Sequence, residues 1–205
     1  GLRFQHRLGG SSSMEASLYA GQRDVLQFLG FTGDFGLSSG GVVDLDRTYG
    51  GGALRFFVES SPFLKFSFGA EYDRMDEHRR GYVNDFGEQG ELRRDEDDVV
   101  DSTDFYAQAE WRFAERWSAH GGVRTSRVEF RSTDHFITAA NPDDSGSRSY
   151  SETTPVAGLV FRATKLFSLY GNLGRGFETP TFAELAYRNS GTGLNFDLAP
   201  SRSKH

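Results

Sequence analysis

Apolar and polar residues alternate along much of this chain, with the two-residue period of a β-strand whose two faces meet different surroundings. The clearest stretch is 103–113, in which Phe105, Ala107 and Trp111 alternate with Tyr106 and Glu110. The pattern predicts eight strands, at residues 2–8, 16–23, 52–59, 64–73, 103–113, 117–126, 154–162 and 167–174. In each pair of neighbouring stretches, charged residues of both signs follow one face and apolar residues the other.

The connections between these strands alternate in length. Short turns lie near residues 11, 61, 115 and 165, whereas the polar stretches 24–47, 73–102 and 129–150 are predicted as long loops. Outer-membrane barrels have short periplasmic turns and long extracellular loops, with strands of about ten residues. Soluble sandwiches have shorter strands, of about five or six residues, and turn signals every ~8 to 12 residues.

Two environments suit a strand with one charged face. The charged face meets bulk water in a soluble sandwich and a wet lumen in a membrane barrel, so alternation alone does not separate the two. Strand length favours the barrel, as do aromatic residues beside the short turns (Phe63, Phe113, Trp117 and Phe167), where an interfacial girdle is expected. We therefore predict that the apolar face contacts lipid through Leu54, Phe56, Phe66, Phe68, Phe105, Ala107, Leu159 and Leu169.

Composition excludes several classes of protein. The 205 residues include no cysteine, which excludes a disulfide scaffold and a thiolate zinc site. The net charge of −6 opposes a nucleic-acid partner, because phosphate binding needs a basic face. No apolar run approaches the ~18 to 20 residues of a transmembrane helix.

The chain offers little that suggests catalysis. Its five histidines are scattered without metal-ligand spacing, and it has no P-loop, dinucleotide fingerprint or nucleophile elbow. We therefore expect no enzyme activity, no cofactor and no metal site. The acidic run 95–98 with Asp101 is interpreted as a solvated loop, with calcium binding as the alternative. The loop arginines Arg47, Arg79, Arg80, Arg93 and Arg94 are interpreted as surface residues, and contact with an anionic ligand or with lipopolysaccharide phosphates is the alternative.

The segment 167–184, FSLYGNLGRGFETPTFAE, resembles a strand and loop of TonB-dependent outer-membrane receptors. The resemblance rests on Leu169-Tyr170 and on the family-motif residues Arg175, Gly176, Phe177, Pro180, Thr181 and Glu184. Residues 195–201 are similar to the family's Asn-Pro-x-Leu-x-Pro-Glu segment, with Phe196 in place of the first proline and Ser201 in place of the glutamate. Residues 41–47 are faintly similar to a branch that includes importers of a redox quinone cofactor.

This resemblance implies an all-β fold: an antiparallel transmembrane β-barrel segment of about eight strands from a 22-stranded barrel. Residues 1–205 would be part of the barrel domain, with the plug domain and the C-terminal strands absent. The implied location is the outer membrane of a Gram-negative bacterium, in contact with lipid and lipopolysaccharide. The implied function is TonB-energised uptake of a scarce nutrient complex, a ferric siderophore or similar small ligand, with TonB acting through the plug.

Residues on the lumen side, near the long-loop ends, are the candidates for ligand contact: Arg23, Asp73, Asp104, Tyr106, Arg124 and Asn172. Aromatic stacking and charge-assisted hydrogen bonds would supply the binding energy. Pairing of opposite charges across the barrel wall is the structural alternative for each of them. Two other functions stay open: a soluble β-sandwich module that binds a ligand such as a carbohydrate, and a passive eight-stranded structural barrel.

Overall fold

The computed structural model describes residues 1–36, 38–186 and 193–205, and it shows nine strands and one short helix. The strands are β1 (Leu2–Gly9), β2 (Ser12–Phe28), β3 (Val42–Ser61), β4 (Leu64–Asp85), β5 (Glu88–Ala114), β6 (Trp117–Asp134), β7 (Gly146–Arg162), β8 (Ser168–Glu178) and β9 (Ser201–Lys204). The helix α1 (Phe182–Leu185) is a single turn between β8 and β9. In the described part of the chain, no helix is long and apolar enough to cross a membrane.

The strands form one antiparallel sheet in which each strand pairs with its neighbours in sequence, so that β1 and β9 are the two edges. The four predicted short turns are confirmed: they connect β1 to β2, β3 to β4, β5 to β6 and β7 to β8. Tight turns fix the register of the strands that they join. The pairs Glu15 with Arg55 and Tyr106 with Arg124 follow from that register.

The predicted strand faces are confirmed by the pairing. Phe56 lies opposite Phe68, and their rings stack with centroids 5.2 Å apart. Arg55 and Glu110 point away from that surface, because successive side chains of a strand alternate between faces. The polar face is the enclosed one: Glu15, Ser67, Asp104 and Ser118 are 9% exposed or less. A cavity of about 640 Å³ opens on it, lined in part by Ser67, Gln108, Glu110, Ser118 and His120.

The apolar face forms a band of limited height on the outside of the curved sheet. On β4 the band runs from Leu64 to Tyr72, which matches the ~9 to 11 residues of a strand that crosses a bilayer. An aromatic cluster marks its lower end beside the short turns, where Trp117 stacks on Phe161 with a centroid distance of 4.5 Å. Trp111 and Phe113 extend this cluster, so the predicted girdle is present on this side.

The predicted long loops are mostly strand. β4 and β5 continue far past the apolar band and meet at a two-residue turn, Phe86-Gly87, in which both residues have positive φ. The loop connecting β2 to β3 covers only 29–41, and the loop connecting β6 to β7 only 135–145. Above the apolar band most residues on both faces of β4 and β5 are polar, so the two-residue period disappears from the sequence.

Three further differences from the sequence prediction concern the extent and number of the strands. The arginines assigned to loops, Arg47, Arg79, Arg80, Arg93 and Arg94, lie in β3, β4 and β5. The acidic run is part of β5 rather than a solvated loop, and alternation places Glu96 and Asp98 on the inner face, both buried, and Asp95 and Asp97 on the outer face. A ninth strand, β9, pairs with β8 near the end of the chain, in addition to the eight predicted strands.

The position of the apolar band predicts how substitutions on each face change the stability of the receptor in a membrane. Phe68 lies at the middle of the band on β4, so replacing it with arginine should lower the free energy of unfolding by about 2 to 4 kcal/mol. Arginine at the inward-facing Gln108 should be tolerated. Urea unfolding of the membrane-inserted receptor would measure both changes, and equal losses for Phe68→Arg and Gln108→Arg would contradict the assignment of the faces.

Candidate functional site

A continuous row of ion pairs crosses the inner face from β1 to β6, and we call it the charge ladder. It consists of Arg3, Glu15, Arg55, Glu71, Arg124 and Asp104. Arg55 Nη2 lies 2.6 Å from Glu71 Oε1, and its Nη1 lies 3.9 Å from Glu15 Oε1. Arg124 donates to Asp104 Oδ1 through Nε at 2.9 Å and reaches Glu71 Oε2 through Nη2 at 3.2 Å. Each charge therefore has a partner on an adjacent strand.

The arginines form the exposed surface of the charge ladder. The side chains of Arg3, Arg55 and Arg124 are 71%, 40% and 47% exposed, whereas those of Glu15 and Asp104 are 11% and 7% exposed. The carboxylates lie beneath and hold the guanidinium groups in place. A molecule that approaches this wall thus meets hydrogen-bond donors with positive charge, although the six charges sum to zero.

Asp104 and Tyr106 add polar groups to the same part of the wall. Asp104 also accepts hydrogen bonds from Ser126 Oγ and, at 3.2 Å, from Ser102 Oγ. Tyr106 lies over Gly69 of the neighbouring strand, where a Cβ atom would come within 2.9 Å of the Tyr106 ring. Glycine at position 69 therefore leaves the space that this tyrosine occupies beside Arg55.

The structure brings together only three of the six predicted ligand contacts: Asp104, Tyr106 and Arg124. Asp73 lies one row closer to the outside and accepts a hydrogen bond from the hydroxyl of Tyr19. Arg23 is further out, opposite Arg47 on β3. Asn172 is near the short turns, opposite Gly158, and belongs to the other end of the wall.

The location of this group also differs from expectation. Asp104, Tyr106 and Arg124 are level with the apolar band rather than at the outer rim, because β4 and β5 extend well beyond them. Glu15, Arg55 and Glu71 were not predicted as site residues. Sequence could have found them, since the register set by each short turn places Glu15 opposite Arg55.

A second charged group lies on the inner face above the band, on strand segments outside the membrane. Arg47 Nε donates to Glu77 Oε2 at 2.6 Å, and Arg94 Nη2 lies 2.6 Å from Glu96 Oε2. Asp98 is next to both glutamates and only 1% exposed. Burial raises the pKa of Asp98 to about 6, and the negative charges of Glu96 and Glu77 act in the same direction.

Two of the scattered histidines meet on the outer face. His78 Nδ1 lies 3.0 Å from Asp97 Oδ1, and His135 Nε2 lies 2.9 Å from Asp97 Oδ2. The hydrogen bond with Asp97 raises the pKa of His135. Across residues 1–36, 38–186 and 193–205, no group of three or more histidine, aspartate or glutamate side chains is arranged to hold a metal ion.

The family-motif residues form a folded segment against the inner wall. Thr181 is the N-cap of α1: its Oγ1 accepts from the Glu184 amide at 3.3 Å, and Glu184 Oε2 accepts from the Thr181 amide at 2.8 Å. This capping box begins α1 directly after the buried Pro180 and places Leu185 in an apolar cluster. Arg175, Gly176 and Phe177 lie at the end of β8, where it pairs with β9. The motif thus has a structural role here.

Comparison with known proteins agrees with this architecture. A family model described as TonB dependent receptor-like, beta-barrel matches residues 1–205. The fold is similar to that of the copper transporter OprC, with a TM-score of 0.74 and 19% identity over 98% of this chain and 33% of that one.

Two other solved structures are similar. The siderophore receptor PiuA from Acinetobacter baumannii has a TM-score of 0.68 and 17% identity over 86% of this chain and 31% of PiuA. The ferric citrate transporter FecA, in its unliganded form, has a TM-score of 0.71 and 15% identity over 98% of this chain and 30% of FecA. The chain thus spans about a third of each of these proteins, and at these identities the likeness concerns the fold.

Asp98 makes stability depend on pH. Its carboxyl has a pKa raised to about 6 in the folded chain, from an ordinary value of 3.8, so between those values the folded state binds more protons than the unfolded state. Its contribution to stability should therefore fall as pH rises from about 4 to about 7. Asp98→Asn should raise the free energy of unfolding at pH 8 and remove this part of the pH profile.

Urea unfolding of the wild type and of Asp98→Asn is measured from pH 4 to pH 8. The difference between their free energies of unfolding gives the contribution of the Asp98 carboxyl at each pH. Asp143→Asn is the matched control, because the loop residue Asp143 is exposed and the pKa of its carboxyl is lowered by its hydrogen bonds with Ser145. A pH profile that Asp98→Asn leaves unchanged would contradict the assignment.

Proposed function

Because this chain belongs to the TonB dependent receptor-like β-barrel family, we propose that it forms part of the wall of a receptor that takes up a scarce nutrient complex across the outer membrane. The charge ladder is the proposed ligand-binding surface of this part of the wall. Proteins of this family are located in the outer membrane of Gram-negative bacteria, and so is this chain. They are transporters and receptors rather than enzymes.

The exposed arginines of the charge ladder carry the proposal about the ligand. Guanidinium groups bind carboxylate and other anionic oxygens through several hydrogen bonds at once, and carboxylates beneath them reduce the entropy lost on binding. Tyr106 adds an aromatic face and a hydroxyl. These donors suit an anionic, oxygen-rich metal chelate, and a ferric siderophore is the most suitable ligand of this kind.

The relatives named above differ in their cargo, and the residues of this chain favour a chelate over a bare metal ion. Copper in its reduced state prefers the sulfur of cysteine and methionine, and this chain has no cysteine and two methionines, Met14 and Met75. Met14 lies on the outer, apolar face, and Met75 on the inner face. A chelated ion, by contrast, needs only hydrogen bonds to the chelator, which the arginines supply.

The proposed uptake involves partners beyond this chain. The lumen of a 22-stranded outer-membrane transporter is closed by a plug, so we propose that a plug domain and TonB act on the same receptor. Lipid contacts the apolar band. Lipopolysaccharide phosphates would lie just above it, near outward-facing arginines such as Arg127 and Arg131.

Neutralising the ladder arginines tests the ligand site. In the complete receptor, Arg55→Gln with Arg124→Gln should weaken binding of a ferric chelate by about tenfold or more, because several charge-assisted hydrogen bonds are lost. Radiolabelled iron complexes of citrate, a hydroxamate and a catecholate are the probes, and binding to whole cells is the measurement.

The matched control is Arg127→Gln, which removes an arginine from the outer face, where the Arg127 side chain is 64% exposed. It should leave chelate binding unchanged. Normal surface levels of all variants are required for the comparison. Unchanged binding of every chelate that the wild type binds would show that capture occurs elsewhere.

A further inference from the structure

We propose that residues 177–186 and 193–198 form a fixed inner shelf that covers the Arg124 end of the charge ladder and directs ligand to it from the β2–β4 side. The inner shelf is defined by Phe177, Phe182, Leu185, Leu194, Phe196 and Leu198. The inference rests on the proposed function, since it names the route to the same site, but its own evidence is the packing of the shelf.

The inner shelf contains the principal apolar core of the described residues. Leu185 and Leu194 pack with Phe130 of β6 and Tyr150 of β7, and all four are 4% exposed or less. Phe182 meets Phe130 edge to face, with ring centroids 5.1 Å apart. Phe130 and Tyr150 point to the inner side of the wall, so the shelf residues that pack on them lie over the inner face.

Hydrogen bonds hold the inner shelf at several points. The Tyr150 hydroxyl donates to the Leu198 carbonyl at 2.8 Å, and the Asn195 amide donates to the Leu185 carbonyl at 2.6 Å. Phe196 fills the space above Gly146, where a Cβ atom would meet its ring at 2.4 Å. Arg202 Nε donates to Glu152 Oε2 at 2.5 Å, which joins β9 to β7. Such attachment is typical of a permanent structural element rather than a moving lid.

The register places the inner shelf directly outside the ladder. Ser126, which bonds Asp104, lies opposite Glu152, and the next inward-facing pair toward the outside is Val128 with Tyr150. Two residues of an antiparallel strand span ~7 Å, so the shelf begins about one row above Asp104 and two rows above Arg124. On β3, three strands away, the residue level with Asp104 and Glu71 is Ala53, and no shelf residue packs there.

This arrangement limits how a ligand reaches Arg124. A chelate that descends along β6 and β7 meets the inner shelf first, whereas one that descends along β2 to β4 reaches Arg55 and Glu71 without meeting it. The height of the gap between the shelf and the ladder would then exclude chelates that are too large to reach Arg124 from the β2–β4 side. The shelf residues thereby determine specificity without contributing charge.

Thiol labelling tests the inner shelf without any ligand, so its result is independent of the proposed function. The absence of native cysteine makes a single introduced cysteine a unique reporter within this chain. Thr154→Cys places the reporter on β7, opposite Arg124 and below the shelf, and Ala53→Cys places it at similar depth on β3. The measurement is the labelling rate by charged methanethiosulfonate reagents added to intact cells that express the complete receptor.

Weakening the shelf should expose the first reporter only. Combined with Leu185→Ala, which removes the most buried shelf side chain, Thr154→Cys should be labelled roughly tenfold faster or more, since the cavity left behind loosens the packing of the shelf on Phe130 and Tyr150. Ala53→Cys should change by less than about twofold under the same substitution, because its surroundings contain no shelf residue.

A second, less disruptive variant keeps the test valid if Leu185→Ala misfolds. Tyr150→Phe keeps the ring and removes only the hydrogen bond to Leu198, and it should accelerate labelling at position 154 by a smaller factor. Labelling at 154 that neither variant accelerates, or acceleration that is equal at 53 and 154, would overturn the proposal. Chelate binding to these variants is measured separately. Failure of the shelf proposal is therefore seen in the labelling rates, and failure of the proposed ligand site is seen in chelate binding.

Discussion

The hydrogen-bonding demand of the backbone in a bilayer is the constraint on which the rest of this structure depends. No water is available in the hydrocarbon layer, so each strand that crosses it must pair with its neighbours, and the chain meets this demand with an antiparallel sheet connected by short turns. Pairing of this kind fixes the register, and the register decides which side chains face lipid. A shift of one residue would exchange Phe56 for Arg55 on the apolar side.

The charge ladder is a consequence of the same register. Its ion pairs connect residues on different strands, such as Arg55 on β3 with Glu71 on β4 and Glu71 with Arg124 on β6. They form only because the register of the sheet brings these residues close together. The wall of a wet lumen must carry polar groups, and pairing them satisfies each charge locally. What makes this wall suited to a ligand is the unequal exposure, with arginines outermost and carboxylates beneath.

Sequence predicted what is local and missed what depends on distant residues. The short-turn hairpins, the residues of the outer apolar face and the aromatic cluster beside the short turns follow from alternation and turn chemistry, and the structure confirms them. The extensions of β4 and β5 are predicted as loops because most residues on both of their faces are polar there. The grouping of Asp104 and Arg124 with Glu71 and Arg55 needed the register of four strands, so only part of the ladder could be anticipated.

The inner shelf is reflected in the sequence by apolar residues at positions where the alternation predicts polar ones. Above the band, Val100, Val128, Phe130 and Tyr150 occupy inward-facing positions that a water-filled lumen would fill with polar residues. Apolar side chains on the wet face of a barrel strand are costly unless protein covers them. Such a reversal therefore predicts an inward-folded segment, and the capping box at Thr181 and Glu184 indicates which segment begins the cover. Together the two local signals identify a long-range contact that neither shows alone.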